Sequence, residues 1–457
     1  MPEVVIAGAG ISGLACAHAL ARRGRDVLLI DAAPRAGGKI RSERTRGYLV
    51  EHGPSGILLR EPAMSDLLTD LGLRERAIPT RDAASKKLLC SGGVLRAVPR
   101  SPGELLRSPL LSLRGKARLL AELLVPRGGS ADETLAGFAR RRFGAEAARQ
   151  IFDPLVSGIF AGDMETLSVA AALPSLARLE REHRSVIAGA ARSGSALGGA
   201  TISFPDGLEE LVQALERSLG ERVRLGVTLR AIAKTKNGFR LQLEAGGGVE
   251  GGGALQTLET EQVVIALPAN AAASVFVEWE PGLAAALAAI PYAPLAVVSL
   301  GYEDVPRGRL DAFGFLAGRR EHVDLLGAVF SSASFDGRAP RGGELVSARL
   351  GGALRPDLAA LGEDELVARA SADLGRLLAL GREPTFRHVV KHERALPQYT
   401  TGHQDRVAAV EAAERRHAGL HFCGSAYRGA GIPDCVRDGV RVAGRVAANA
   451  PAPAAVT

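Results

Sequence analysis

The first 31 residues constrain this chain most. Val4-Val5-Ile6-Ala7 is a short apolar run, read as a parallel strand buried on both faces. Gly8-Ala9-Gly10-Ile11-Ser12-Gly13 follows at once. Leu14, Ala15, Ala17, His18, Leu20 and Ala21 then recur at helical spacing up to Gly24. Val27-Leu28-Leu29-Ile30 is a second strand, and Asp31 ends it. A GxGxxG alone is weak evidence. Enclosed between strand and helix, with an acid closing the next strand, it predicts a dinucleotide cradle. The glycines allow a tight turn and a close backbone approach to a pyrophosphate, which the helix N-terminus attracts. Asp31 suits ribose hydroxyls and repels a 2′-phosphate, so NADP is disfavoured.

Composition narrows the field. The chain has 457 residues, enough for two or three domains, and 46% hydrophobic residues, which excludes bulk disorder. Aromatics are only 4%, against a protein built on base-stacking platforms, and no nucleic-acid partner is expected. The net charge of +7 suits an anionic ligand or a membrane surface and does not choose between them. Cys16, Cys90, Cys423 and Cys435 make no CxxC, so no metal site is read. A reducing, cytoplasmic setting is expected, because MPEVVIAGAG shows no leader pattern. Pro281 to Tyr302 carries no charge, yet Pro291 and Pro294 interrupt it. It reads as a short helix, a break and a buried strand over Leu295–Leu300, not as a membrane span.

From about Leu88 to Arg192 the texture becomes helical and basic, as in LLRSPLLSLRGKARLLAELL. Such stretches either lie on a membrane surface or show a solvated face. Ser193–Ala200 reads as a linker. A helix follows Phe204-Pro205-Asp206-Gly207, and Val263-Val264-Ile265-Ala266 is another buried strand. Gly246–Gly253 is a loose tip. Strand signals recur from Pro291 to Pro397, with one helix at Glu363–Ala379. The chain closes with a glycine turn after His421-Phe422-Cys423 and a helix over Asp434–Ala447.

The position of the glycine loop favours FAD over NAD. Arg35-Ala36-Gly37-Gly38-Lys39-Ile40-Arg41-Ser42 offers two glycines and two cations that could reach the other side of a diphosphate. With this segment the chain resembles the FAD-dependent amine-oxidase-like superfamily. Three further groups of segments narrow the likeness: Gly47-Tyr48-Leu49-Val50-Glu51-His52-Gly53-Pro54; Ser157-Gly158-Ile159-Phe160-Ala161-Gly162-Asp163 with Arg181-Glu182-His183-Arg184-Ser185; and Leu396-Pro397-Gln398-Tyr399-Thr400-Thr401-Gly402-His403 with Gly424-Ser425-Ala426-Tyr427-Arg428-Gly429. In nearly collinear order over the whole chain, they are similar to the oxygen-dependent protoporphyrinogen oxidase family.

The resemblance implies an α/β fold: a Rossmann-type FAD-binding domain, a mixed-sheet substrate domain and an inserted helical domain. Its parts would be 1–80, 204–270 and 404–457 for FAD, 81–92 and 271–403 for substrate, and 93–203 for the helices. It implies non-covalent FAD, a porphyrinogen substrate, oxygen as acceptor and peroxide as product, with no residue obliged to act as acid or base. Peripheral contact with the inner face of the cell membrane and a homodimer are compatible with it. Coproporphyrinogen oxidation, or a flavin- or porphyrin-binding carrier with little turnover, stays open. An amine substrate is disfavoured, because five Tyr and one Trp hardly build an aromatic cage.

Carried over by motif, the FAD contacts would be Gly8, Ala9, Gly10, Ile11, Ser12, Gly13, Asp31, Ala32, Gly38, Lys39, Gly53, Pro54, Ser55, Gly56, Leu229, Ser425, Ala430, Gly431 and Ile432. Gly158, Phe313 and Leu316 match the substrate pocket. Two positions depart from the family. Lys87 stands where an Arg commonly binds a substrate propionate, and gives a point charge without the fork. Arg349 stands where an apolar residue is usual. It is expected either at a solvated strand end or facing an anionic ligand.

Overall fold

The computed structural model describes residues 1–193, 199–246, 254–305 and 308–448. Most of the expected linker and of the glycine-rich tip lies outside the described residues. A parallel sheet, a mixed sheet and a helical layer organise the chain.

The parallel sheet runs Val223–Leu225, Val27–Asp31, Val4–Ala7, Gln262–Ile265, Leu420–Phe422, every neighbouring pair parallel. Val4 and Ile6 face one core cluster, with helices Ile11–Ala21, Glu209–Leu219 and Ile432–Ala448. Val5 and Ala7 face the other, with a three-stranded antiparallel sheet and helices Ala269–Phe276, Pro281–Ala288 and His403–Arg416. Burial on both faces explains the unbroken apolar runs. The chain moves from Val4–Ala7 to one side first and to the other later, so the glycine loop sits at the topological switch point, where such sheets bind ligands.

The expected break in Pro281–Tyr302 is present, but the strand is longer than Leu295–Leu300, spanning Tyr292–Glu303. Pro294 is accommodated at a bulge between Ala293 and Leu295, where a missing N–H costs no ladder bond. This strand belongs to a seven-stranded sheet ordered Phe386–Pro397, Tyr292–Glu303, Gly343–Gly351, Leu325–Phe330, Gly314–Leu316, Lys87–Ser91, Val94–Ala97. Helix Glu363–Leu378 covers one face, over Ala296, Val298, Leu300, Phe315, Ala348 and Leu350.

Val94–Ala97 falls within 93–203, the range read as helical, so the helical run begins at Pro102. The spacing from Leu88 onward is that of a hairpin, which turns at Gly92 and Gly93 with φ of 65° and 74°. The helices from Pro102–Arg107 to Val186–Ser193 share a core of Phe138, Phe143, Val156, Met164 and Leu179. A fully buried ion pair, Glu122 with Arg142, joins them. The Glu122 carboxylate also accepts from the Val186 and Ile187 amides, so it caps the last helix.

Candidate active site: a glycine cradle against an apolar sheet face

The three glycines of the first loop have different reasons to be glycine. Gly8 has φ of +111°, and a Cβ there would lie 2.7 Å from the Ala266 carbonyl. A Cβ on Gly13 would lie 1.9 Å from Gly8 O. Both are demanded by packing of strand against helix. A Cβ on Gly10 would meet nothing within 4 Å. Gly10 is the N-cap of helix Ile11–Ala21, and no side chain caps that turn. The protein therefore leaves open space in front of helix amides that need an acceptor.

A second glycine turn forms the other wall. Gly37 N–H donates to Ala9 O at 2.8 Å, and a Cβ on Gly38 would lie 3.5 Å from Gly10 Cα. Arg35 holds this turn by donating to Ala36 O, Gly38 O and Ile40 O. Its guanidinium is therefore spent on its own loop. Asp31 accepts from the Ala9 amide at 2.6 Å and the Ala33 amide at 2.8 Å. These two bonds fix the loop and leave a carboxylate further lone pairs. Ala32 beside it is exposed. Lys39 is half-buried, with its ammonium 5.6 Å from the Tyr292 ring, and desolvation pushes its pKa down.

The C-terminal turn closes on the same place. A Cβ on Gly439 would lie 2.4 Å from Ser12 O, so helix Ile432–Ala448 packs directly on the glycine-loop helix. Cys435, in its first turn, sits beside Ser12 and Lys39, and burial pushes its thiol up to about 12. Gly431 O accepts from Cys435 N–H, and Ala430 packs against the helical layer. Ser425 O accepts from the Tyr399 hydroxyl. Two helix N-termini thus face the cradle. Leu229 lies apart in strand Val227–Lys234, buried, next to a bulge.

Loop 53–56 links cradle to sheet. A Cβ on Gly53 would lie 2.5 Å from Lys39 O, and one on Gly56 2.8 Å from Thr201 Cγ2. Pro54 and Ser55, between them, are half-buried. Arg349 Nη2 donates to Ser55 Oγ at 2.8 Å and to Gly53 O at 3.3 Å. His388 and His392, which lie in none of the motif segments, also brace this loop. His392 Nε2 bonds the His52 carbonyl at 2.8 Å. The Glu43 carboxylate lies between the His52 and His388 rings, all three within 4.8 Å. The signal was legible: His388 and His392 fall at even spacing on one strand, so they share a face.

Sheet register places the substrate candidates. Val390, Val297, Arg349, Gly327, Leu316 and Leu89 are cross-strand partners in turn, and so share one face. Lys87, paired with Gly314, is on that face, exposed and near its far edge. This is the face opposite helix Glu363–Leu378, with Leu295, Val297 and Ala395 forming an apolar plate. Gly158 joins it: a Cβ there would lie 2.2 Å from Leu316 Cδ2, so Leu316 fills the space above Gly158. Phe313 precedes its strand and is held through its backbone to Lys86 and Phe330. Arg349 stands two residues from the end of its strand and is half-buried, between the two expectations for it. Its neighbours Leu350 and Gly351 are buried, and desolvation lowers its pKa to about 10.

A dinucleotide cradle at a switch point, facing an apolar sheet, is the architecture of a flavoprotein oxidoreductase. Residues 11–447 match the flavin containing amine oxidoreductase family, and the chain belongs to it. It is an FAD-dependent oxidoreductase. The chain is similar to "Protoporphyrinogen oxidase" of Bos taurus, 33% identical over 98% of this chain and 99% of that one. It is 28% identical to "Coproporphyrinogen III oxidase" of Bacillus subtilis (strain 168), over 96% of each. A solved structure from Exiguobacterium sp. 255-15, assigned as a protoporphyrinogen oxidase, superposes with TM-score 0.82 at 25% identity, covering 98% of this chain and 99% of that one.

Proposed function

We propose that this protein oxidises protoporphyrinogen IX to protoporphyrin IX in heme biosynthesis, with FAD held non-covalently and oxygen as acceptor. One observation carries the cofactor half: the empty side of Gly10, walled by Gly38 and faced by a helix N-terminus. A diphosphate suits that place by charge, since a helix N-terminus attracts an anion. Gly8 to Gly13, Gly38 and Lys39 would hold the diphosphate, and Asp31 with Ala32 the ribose. Leu229 would meet the adenine through its backbone. Gly53, Pro54, Ser55, Gly56, Ser425, Ala430, Gly431 and Ile432 would border the flavin ring. The buried Cys435 thiol, raised to about 12, is a poor nucleophile, which supports non-covalent binding.

Bound FAD supplies two-electron acceptor chemistry, so three rounds take six hydrogens from the macrocycle and reduce three oxygen molecules to hydrogen peroxide. The chain's own residues position the substrate. Phe313 and Leu316, both half-buried, with Gly158 beneath Leu316, offer an apolar surface that excludes water from the macrocycle. Lys87 at the edge supplies a cation for a propionate. No side chain is assigned as acid or base, because pyrrole protons can leave to water. The purified protein should be yellow and release intact FAD on denaturation. It should also form fluorescent protoporphyrin with peroxide in air. Released FMN, or no porphyrin with FAD bound, would reject this reading.

Peripheral membrane attachment on the cytoplasmic side is part of the proposal. No helix among the described residues is long and apolar enough to cross a membrane. The helical layer nonetheless exposes Leu106, Leu113, Leu120, Leu123 and Leu124 beside Arg107, Arg114 and Lys116. Exposed leucines interleaved with cations suit an anionic lipid surface.

A further inference from the structure

Arg349 is a half-buried cation with no anion among the described residues. Its two hydrogen bonds both come from Nη2 and both end on neutral oxygens, Ser55 Oγ and Gly53 O. No carboxylate among the described residues pairs with it, and desolvation is the sole cause of its lowered pKa. The arginines that are fully buried are compensated. Arg142 faces Glu122 and Glu180. Arg338 donates to Ser203 Oγ and Phe204 O and feels the field of Glu51. A guanidinium has five donors, and Arg349 leaves its Nε and Nη1 sides without a protein acceptor among the described residues. Holding the Ser55 loop would need only a neutral donor. A partly desolvated guanidinium with open donors and no counter-ion is suited to an anion that arrives with the ligand.

The sheet says where that anion sits. Arg349 pairs with Val297 on one side and Gly327 on the other, so it rises from the apolar plate beside a position with no side chain. Lys87 rises from the same face, three strands away and two residues along. At about 4.8 Å between strands and 3.3 Å per residue, the two backbones stand roughly 15 Å apart. That is of the order of the width of a tetrapyrrole with its acid arms. The two propionates of protoporphyrinogen hang from neighbouring pyrroles, at one edge of the ring. One edge cannot serve two cations placed across the ring. Coproporphyrinogen carries a propionate on each pyrrole, hence on both edges.

We propose that Arg349 receives a ring carboxylate opposite to the one bound by Lys87, so that this site also takes the tetracarboxylate porphyrinogen and binds it more tightly than the dicarboxylate. This rests on the porphyrinogen reading above. The test compares both porphyrinogens with wild type and Arg349→Met, after flavin content has been matched. Loss of one charge-assisted contact should raise the KM for coproporphyrinogen roughly ten- to a hundredfold. The KM for protoporphyrinogen should rise far less. A second readout needs no turnover: the affinity of the stable products coproporphyrin III and protoporphyrin IX, by quenching of their fluorescence, should show the same selective loss. If Arg349→Met retains no flavin, Arg349→Lys replaces it. It keeps a charge without the fork, and a smaller selective loss is expected. An equal effect on both tetrapyrroles, or none, overturns the assignment. If the flavin-loaded wild type oxidises neither porphyrinogen, the underlying reading has failed instead.

Discussion

Gly13 stands so close to Gly8 that a Cβ on it would lie 1.9 Å from the Gly8 carbonyl oxygen. Gly10, between them in sequence, faces open space and has ordinary extended backbone angles, φ −70° and ψ 173°. The two glycines should therefore fail differently. Gly13→Val should prevent folding, because strand and helix would be forced apart. Gly10→Val should fold, with a melting temperature close to that of wild-type apoprotein, yet retain no flavin. Flavin absorbance and circular dichroism on both variants check this. Flavin kept by Gly10→Val would place the diphosphate elsewhere.

Leu316 and Gly158 form a contact that admits no larger partner. Gly158→Ala should destabilise the fold by about 1–3 kcal/mol through overpacking. Leu316→Ala in the same chain should recover much of that loss, since it removes the colliding methyl groups. Urea unfolding of the two single variants and the double variant measures the coupling. Additive losses would show that the helix shifts freely on the sheet.

Glu51 gives an unusual pH dependence. Its buried carboxyl accepts from Ser42 Oγ and Leu208 N–H, and desolvation raises its pKa to about 7. Its folded pKa lies above the unfolded value of 4.5, so the folded state holds the proton more tightly. Its contribution is full below pH 4.5 and is lost as pH rises to about 7, by up to about 3 kcal/mol. Glu51→Gln keeps neutral partners at every pH. Its stability gain over wild type should be small at pH 5 and largest above pH 7.5, as read by thermal unfolding.

Arg142 and Glu122 form a polar joint inside the helical layer. Both side chains are wholly buried, and Arg142 also donates to Val125 O and Arg184 O. Arg142→Met leaves Glu122 buried without its cation and should cost about 3–5 kcal/mol. Replacing both, as Arg142→Met with Glu122→Leu, should cost less than the single change. Unfolding curves that rank them the other way would contradict a compensated pair.

The exposed leucines should matter to lipid and not to folding. Leu113 is 83% exposed and Leu124 80% exposed. Changing both to Ser should leave the melting temperature nearly unchanged and weaken sedimentation with anionic vesicles. Raising the salt should release most of the wild-type protein, since screening acts on Arg107, Arg114 and Lys116. Binding indifferent to both treatments would remove this surface from consideration.

The cradle was legible in the sequence because its parts are neighbours along the chain. A buried strand, three glycines, a helix and an acid at the end of the next strand specify one local geometry, and the tight turn leaves few alternatives. The helical layer was legible as a texture but not at its edge. The hairpin Lys87–Ser91 with Val94–Ala97 turns locally, but it joins the mixed sheet by pairing with Gly314–Leu316, more than two hundred residues later. The strand through Pro294 extends beyond its apolar stretch Leu295–Leu300, and only the partner strand reveals the bulge that admits the proline.

What tertiary structure alone decided is the far side of the site. Arg349 meets Ser55 across 294 residues, and register brings Lys87, Leu316 and Arg349 to one face from three separate segments. Motifs marked Lys87, Gly158, Leu316 and Arg349 one by one. That Gly158 lies under Leu316, or that Arg349 is half-buried without a counter-ion, depends on which strands become neighbours and how close a helix comes to them. Spacing along the chain sets local turns. The packing of distant segments, settled by burial of their shared apolar faces, sets everything that a substrate would touch.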